Sequence, residues 1–161
     1  MKRAGFTMIE LIFVIVILGI LAAVAVPKLS ATRSDAEIAK IATNAATVVS
    51  DYGSSWTARA NLIGTTAWED VTNTPLQTTG SSTLADLSTV TLSSSLYLTD
   101  GTNNCVTFAP VADGNASVAG TLYPSLNVTL SAAGTSAVCD GVRTRILSLE
   151  KQHNFGGTGI Q

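Results

Sequence analysis

Charge is scarce in this chain. Only 12% of its 161 residues are Asp, Glu, Lys or Arg, about half the usual share. No Lys or Arg occurs between Arg59 and Arg143, while Glu69, Asp70, Asp86, Asp100, Asp113 and Asp140 do. That composition is a poor match to a nucleic-acid binder, which needs a basic patch. It leaves an acidic middle between basic flanks, which serves either solubility or charge matching between neighbouring subunits. Histidine is limited to His153, so a histidine-built metal or nucleophile site has too few members. No P-loop or dinucleotide fingerprint is present. Cysteine is limited to Cys105 and Cys139, spaced unlike a C-x-x-C redox pair.

What the chain has in concentrated form is its start. Lys2 and Arg3 are followed by Gly5 and Phe6, then Glu10, then an apolar run from Leu11 to Val26 and Pro27. Residues 6–26 would make a helix of about 31 Å at 1.5 Å per residue, enough for a hydrocarbon core of about 30 Å. The two basic residues would hold the N-terminus in the cytoplasm. Three readings fit these features. One is a secretory signal peptide, cleaved after Ala23-Val24-Ala25 to leave a secreted binding domain beginning at Val26. Another is a plain membrane anchor. The third is a subunit that leaves the membrane for an assembly, since a carboxylate at the mouth of an apolar segment is costly and needs a partner.

Gly5-Phe6-Thr7-Met8-Ile9-Glu10-Leu11-Ile12, with Lys2-Arg3 before and Pro27 after, resembles the class III leader of type IV pilins and type II secretion pseudopilins. The resemblance covers about 25 residues at the N-terminal end of the chain. It implies cleavage by a prepilin peptidase between Gly5 and Phe6, and N-methylation of Phe6 by the same enzyme. Glu10 becomes the fifth mature residue, the family's assembly glutamate. Gly19 and Pro27 fall where such helices bend or loosen. The implied product is a homopolymer assembled by an inner-membrane platform and motor. Its subunit starts in the inner membrane, with the N-terminus cytoplasmic and the head periplasmic, and ends in an extracellular pilus. For a pseudopilin, the alternative, the filament stays periplasmic. No direct nucleic-acid partner is expected, and the product is not an enzyme.

The physical logic agrees with that resemblance. Cleavage frees an α-amine four residues before Glu10, and in a stack of helices that amine can meet a neighbour's carboxylate. Such a pair would set axial register, as a buried polar residue does in a coiled coil.

The expected fold is α+β, with a long N-terminal helix laid on a small antiparallel sheet. The expected segments are a leader at 1–5, a membrane or filament-core helix at 6–27, its amphipathic continuation at 28–55, and a head at 56–161 with an αβ-loop, the sheet and a C-terminal disulfide region. Ile38, Ile41, Ala42, Ala45, Val48, Val49 and Tyr52 recur at three- and four-residue steps, which predicts the helix's buried stripe. Gly53-Ser54-Ser55 is a candidate stop, although Trp56 and Arg59 could extend the helix. Helical turns are expected at residues 68–71 and 83–88. Strands are expected at residues 96–98, 105–111, 118–123 and 125–130. A helix is expected over 142–152, then a glycine-rich tail at 154–159. Asp100-Gly101, Asp113-Gly114 and Asp140-Gly141 read as turns.

An even cysteine pair in an exported domain reads as a disulfide, closing about 35 residues and contributing about 3–4 kcal/mol. The resemblance adds that pilin heads commonly carry such a bond near the C-terminus and major pseudopilins usually do not. Asn115, in Asp113-Gly-Asn-Ala-Ser117, is a candidate glycosylation acceptor, set against chance recurrence of a short motif. Asn127-Val-Thr129 has the core triplet without the preceding acid. No cofactor is expected. Because major pseudopilins often bind calcium in a C-terminal loop, Asp100-Gly-Thr-Asn-Asn104 is a calcium candidate, although it lacks the sixth-position glycine and twelfth-position glutamate of a calcium loop.

Overall fold

The computed structural model describes residues 6–78, 84–112, 116–117 and 120–156. By contact density the chain divides into two units, residues 1–36 and 37–161. The first helix, α1, is Met8–Arg59, a single element of 52 residues with Pro27 inside it. Proline there has no N–H to give the carbonyl four residues back, so the ladder loses one bond at that point.

The second unit is built around the C-terminal part of α1. Ile38, Ile41, Ala45, Val48 and Tyr52 are buried, with Ala42 and Val49 packed beside them, so the three-and-four spacing does mark one face. The helix passes through the expected stop at Gly53. A Cβ there would lie 2.8 Å from the Phe155 ring, so Gly53 serves the close approach of Phe155 to the helix and not the helix's end. After α1, a 3-10 turn at Trp68–Asp70 carries the buried Trp68 indole, whose Nε1–H donates to the Ser94 carbonyl at 3.2 Å. Residues 86–90 close a hydrogen-bonded turn, while Thr83 of the expected segment lies outside the described residues.

The main sheet contains β1 (Leu96–Thr99), β2 (Asn104–Val111), β5 (Ser125–Leu130) and β6 (Gln152–Asn154), in the order β1-β2-β5-β6, each pair antiparallel. A two-stranded ribbon, β3 (Ala116–Ser117) with β4 (Gly120–Thr121), stands apart from it. That ribbon covers part of the expected strand at 118–123, of which Val118 and Ala119 lie outside the described residues. Register aligns Leu96 with Phe108 and Val128, and Leu98 with Val106 and Leu130. Those inward side chains and the α1 stripe form one core. Each fully buried Val, Leu or Phe contributes about 1.5–3 kcal/mol relative to exposure. Pro110 falls past the last β1 pair, where β2 has a single neighbour, a place that tolerates a residue lacking N–H.

The C-terminal region departs from expectation. The helix α2 is Ala137–Ile146, not 142–152, and a 3-10 turn at Leu147–Leu149 follows it. Ser136 is its N-cap, accepting the Cys139 N–H at 3.1 Å, which starts the helix five residues early. Asp140-Gly141 is therefore helical and not a turn. A Cβ on Gly141 would collide with the Ile38 side chain, so glycine lets α2 lie against α1. Residues 152–154, expected as helix end and tail, form β6 beside β5. Phe155 then packs 5.6 Å from the Tyr52 ring, between centroids. Residues 157–159 of the expected tail lie outside the described residues.

Candidate assembly and processing site

The candidate site begins at Phe6, since Gly5 lies outside the described residues. Thr7 is the last residue before α1, and Glu10 is the third residue within it. The Thr7 N–H donates to Glu10 Oε2 at 2.8 Å, and the Thr7 hydroxyl donates to the same oxygen at 2.6 Å. In return the Glu10 N–H reaches the Thr7 hydroxyl oxygen at 3.4 Å. The first helical bond runs from the Leu11 N–H to the Thr7 carbonyl. This is a reciprocal capping box, in which two otherwise orphaned backbone donors are satisfied by two side chains. The Thr-x-x-Glu spacing that signals it stands in the sequence as Thr7-Met-Ile-Glu10, and the reading of Glu10 as an isolated membrane charge passed over it.

Every described side chain from residue 6 to residue 29 is exposed. Phe6, Ile9, Leu21 and Val24 are each more than 60% exposed. The helix that holds the last three is long and apolar enough to cross a membrane. Among the described residues, a Cβ on Gly19 would meet nothing within 4 Å, so no packing there demands that glycine. Apolar exposure on this scale calls for lipid or other helices around it.

The head carries the other singled-out residues. Cys105, in β2, and Cys139, in α2, are joined by a disulfide, and both are buried. It ties the sheet to a helix 34 positions away in sequence. Asp100 lies beside it. One carboxylate oxygen accepts the N–H groups of Thr102 at 3.0 Å and Asn103 at 2.7 Å, and the other accepts the Ser136 hydroxyl at 2.6 Å. Burial pushes the Asp100 pKa up, but those bonds from Ser136, Asn103 and Thr102 outweigh it and bring it down to about 2.

The calcium candidate fails on its donor set. Asp100 is the loop's one carboxylate, and both its oxygens already face hydrogen-bond donors, including the Asn103 side-chain amide. Calcium takes six to eight oxygens, and this loop turns N–H groups toward its acid. Asp100 also lies near both cysteine sulfurs, but those are spent in the disulfide.

Arg59 sits 3.4 Å from Asp70, so part of the acidic middle is paired on the surface, where such a pair contributes little. His153 holds the Leu149 carbonyl at 3.1 Å and stacks on Phe155. Asn127 lies in β5 between β2 and β6. Asn115 lies outside the described residues.

Residues 1–26 match the family model described as the prokaryotic N-terminal methylation motif. This is the class III prepilin leader of type IV pilins and pseudopilins. No curated protein and no solved structure matches the chain. The motif implies a structural subunit that is processed by prepilin peptidase and assembled into a filament. With the apolar helix, it marks a membrane-anchored precursor.

Proposed function

We propose that this chain is the building subunit of a type IV pilus. The observation that carries the reading is the methylation motif at residues 1–26, continued by a helix whose apolar side chains are exposed. Lipid covers that surface before assembly, and the helices of neighbouring subunits cover it afterwards. In this reading the peptidase cuts between Gly5 and Phe6, leaving N-methyl-Phe6 as the first mature residue. The Glu10 carboxylate meets a neighbour's N-terminal amine and sets the axial register. Gly19 and Pro27 let the helix adjust to its packing. Residues 6–27 serve as filament core, 28–55 as the helical support of the head, and 56–161 as the outer surface. Asn115 carries a glycan where the host has the pathway. The Cys105–Cys139 disulfide favours the pilus over the pseudopilus, because it braces a head exposed to shear outside the cell.

The test is to shear intact cells and analyse the released protein by intact mass and N-terminal peptide. A fibre protein beginning at N-methyl-Phe6 and lighter by two hydrogens supports the pilus. The same processed form confined to the membrane fraction would make it a pseudopilin. A chain beginning at Val26 would make it a secreted domain and overturn the filament reading.

A further inference from the structure

Two oxygens stand beside the Cys105–Cys139 bond. Asp100 Oδ2 lies 3.9 Å from Cys139 Sγ, and the Asn103 carbonyl oxygen lies 3.9 Å from Cys105 Sγ. A carboxylate oxygen of Asp100 is within 4.8 Å of both sulfurs. The acid is ionised at neutral pH in the folded head. No Lys or Arg occurs between Arg59 and Arg143, so the β1–β2 hairpin carries no cation of its own. The two ion pairs found among the described residues, Arg59–Asp70 and Arg143–Glu150, leave Asp100 out. Asp100 sits in the turn between β1 and β2, on the same hairpin as Cys105, where the Thr102 and Asn103 N–H groups hold it. If α2 lifted from the sheet, the charge would stay beside Cys105.

Reduction of a disulfide by a thiol proceeds through the thiolate. Its electron pair bonds to one cysteine sulfur, and the Cys105–Cys139 bond breaks with its electron pair leaving on the other. A second thiolate then displaces the first cysteine from the mixed disulfide. Two thiols are oxidised to their own disulfide, and their two protons end on Cys105 and Cys139. A fixed negative charge this close opposes the first step twice. It repels an incoming anion, and it raises the cost of the thiolate that departs. We propose that Asp100 is an electrostatic guard of the Cys105–Cys139 bond, which selects among attacking thiols by their charge. Thiols carrying a carboxylate or sulfonate are slowed most, neutral thiols less and cationic thiols least. The guard acts on the rate of reduction and is distinct from the stability that the bond supplies.

The experiment treats full-length protein in non-ionic detergent with mercaptoethanesulfonate, mercaptoethanol or cysteamine, compared at equal thiolate concentration. Alkylation of the freed cysteines, read by intact mass, gives the rate of reduction. Wild type should react fastest with the cationic thiol and slowest with the anionic one, and added salt should compress that order. Asp100→Asn keeps an acceptor for the hairpin N–H groups and loses the charge. Its anionic-to-neutral rate ratio should rise at least about threefold, the effect of one charge about 5 Å away in a watery surrounding. Tyr52→Phe, which weakens the head elsewhere, should leave that ratio within about twofold of wild type. Asp70→Asn removes the same charge from the far end of the head, about 30 Å along α1 from where Gly141 meets Ile38, and should do likewise. The proposal is overturned if all three thiols reduce wild type alike, or if Asp100→Asn speeds all three equally. It is also overturned if Asp70→Asn shifts the ratio as much as Asp100→Asn does. Rates that ignore thiol concentration would overturn it too, since reduction would then wait on unfolding.

Discussion

Replacing both Cys105 and Cys139 with alanine should cost the head a large part of its stability. The bond closes a loop spanning 34 positions, which in the chain-entropy model amounts to about 4 kcal/mol at 25 °C. The two cysteines are 1% and 0% exposed, so the variant also loses buried contacts and cannot regain them from water. The second unit, residues 37–161, would unfold with an entropy of about 0.26 kcal/mol/K at about 2.1 cal/mol/K per residue. A loss of about 4 kcal/mol then lowers Tm by about 15 °C. The assay is thermal unfolding of the full-length protein in detergent, followed by near-ultraviolet circular dichroism, with and without a dithiol reductant. Wild-type protein should move toward the variant on reduction, and the variant should ignore the reductant. A fall of less than about 5 °C in both experiments would refute the reasoning. The α2–sheet contact would then hold without its covalent link.

Three further outcomes follow from the same packing. Gly141→Ala places a methyl against Ile38 and should destabilise the head by about 1–3 kcal/mol, read by chemical denaturation; an unchanged midpoint would mean that α2 can move away freely. Tyr52→Phe removes the hydroxyl that donates to the Tyr123 carbonyl at 2.7 Å and should cost about 1–2 kcal/mol in the same assay. The Asp100 pKa is lowered in the folded head, so its contribution is present above the unfolded value near 3.8 and lost as pH falls through about 2. Wild type should therefore lose its advantage over Asp100→Asn between about pH 5 and pH 2; parallel stability curves across that range would disprove the link.

The N-terminal expectation and the α+β arrangement were legible because they rest on local chemistry. An apolar run of membrane length, a glycine-phenylalanine junction and a glutamate at a set distance are readable without knowing what surrounds them. The stripe from Ile38 to Tyr52 shows its period directly, and so does the alternation in β5. The Thr7–Glu10 capping box was equally local.

Other features depended on residues far apart in the chain. Asp140-Gly141 has the composition of a turn, and only the presence of Ile38 from α1 makes that glycine a helical contact. Gly53 looks like a helix stop until Phe155, about a hundred positions later, is found lying on it. The three residues of β6 have no strand signal of their own; they pair because β5 offers them an open edge. The calcium-like loop is spent by Ser136, which reaches Asp100 from 36 positions away. By itself the sequence determined the leader, the membrane-length helix and the alternating strands, because these are set by neighbours within a few residues. Only the tertiary structure decided where α2 begins, which glycines are packing sites and what occupies Asp100, because each depends on an atom brought close by folding and not by the chain.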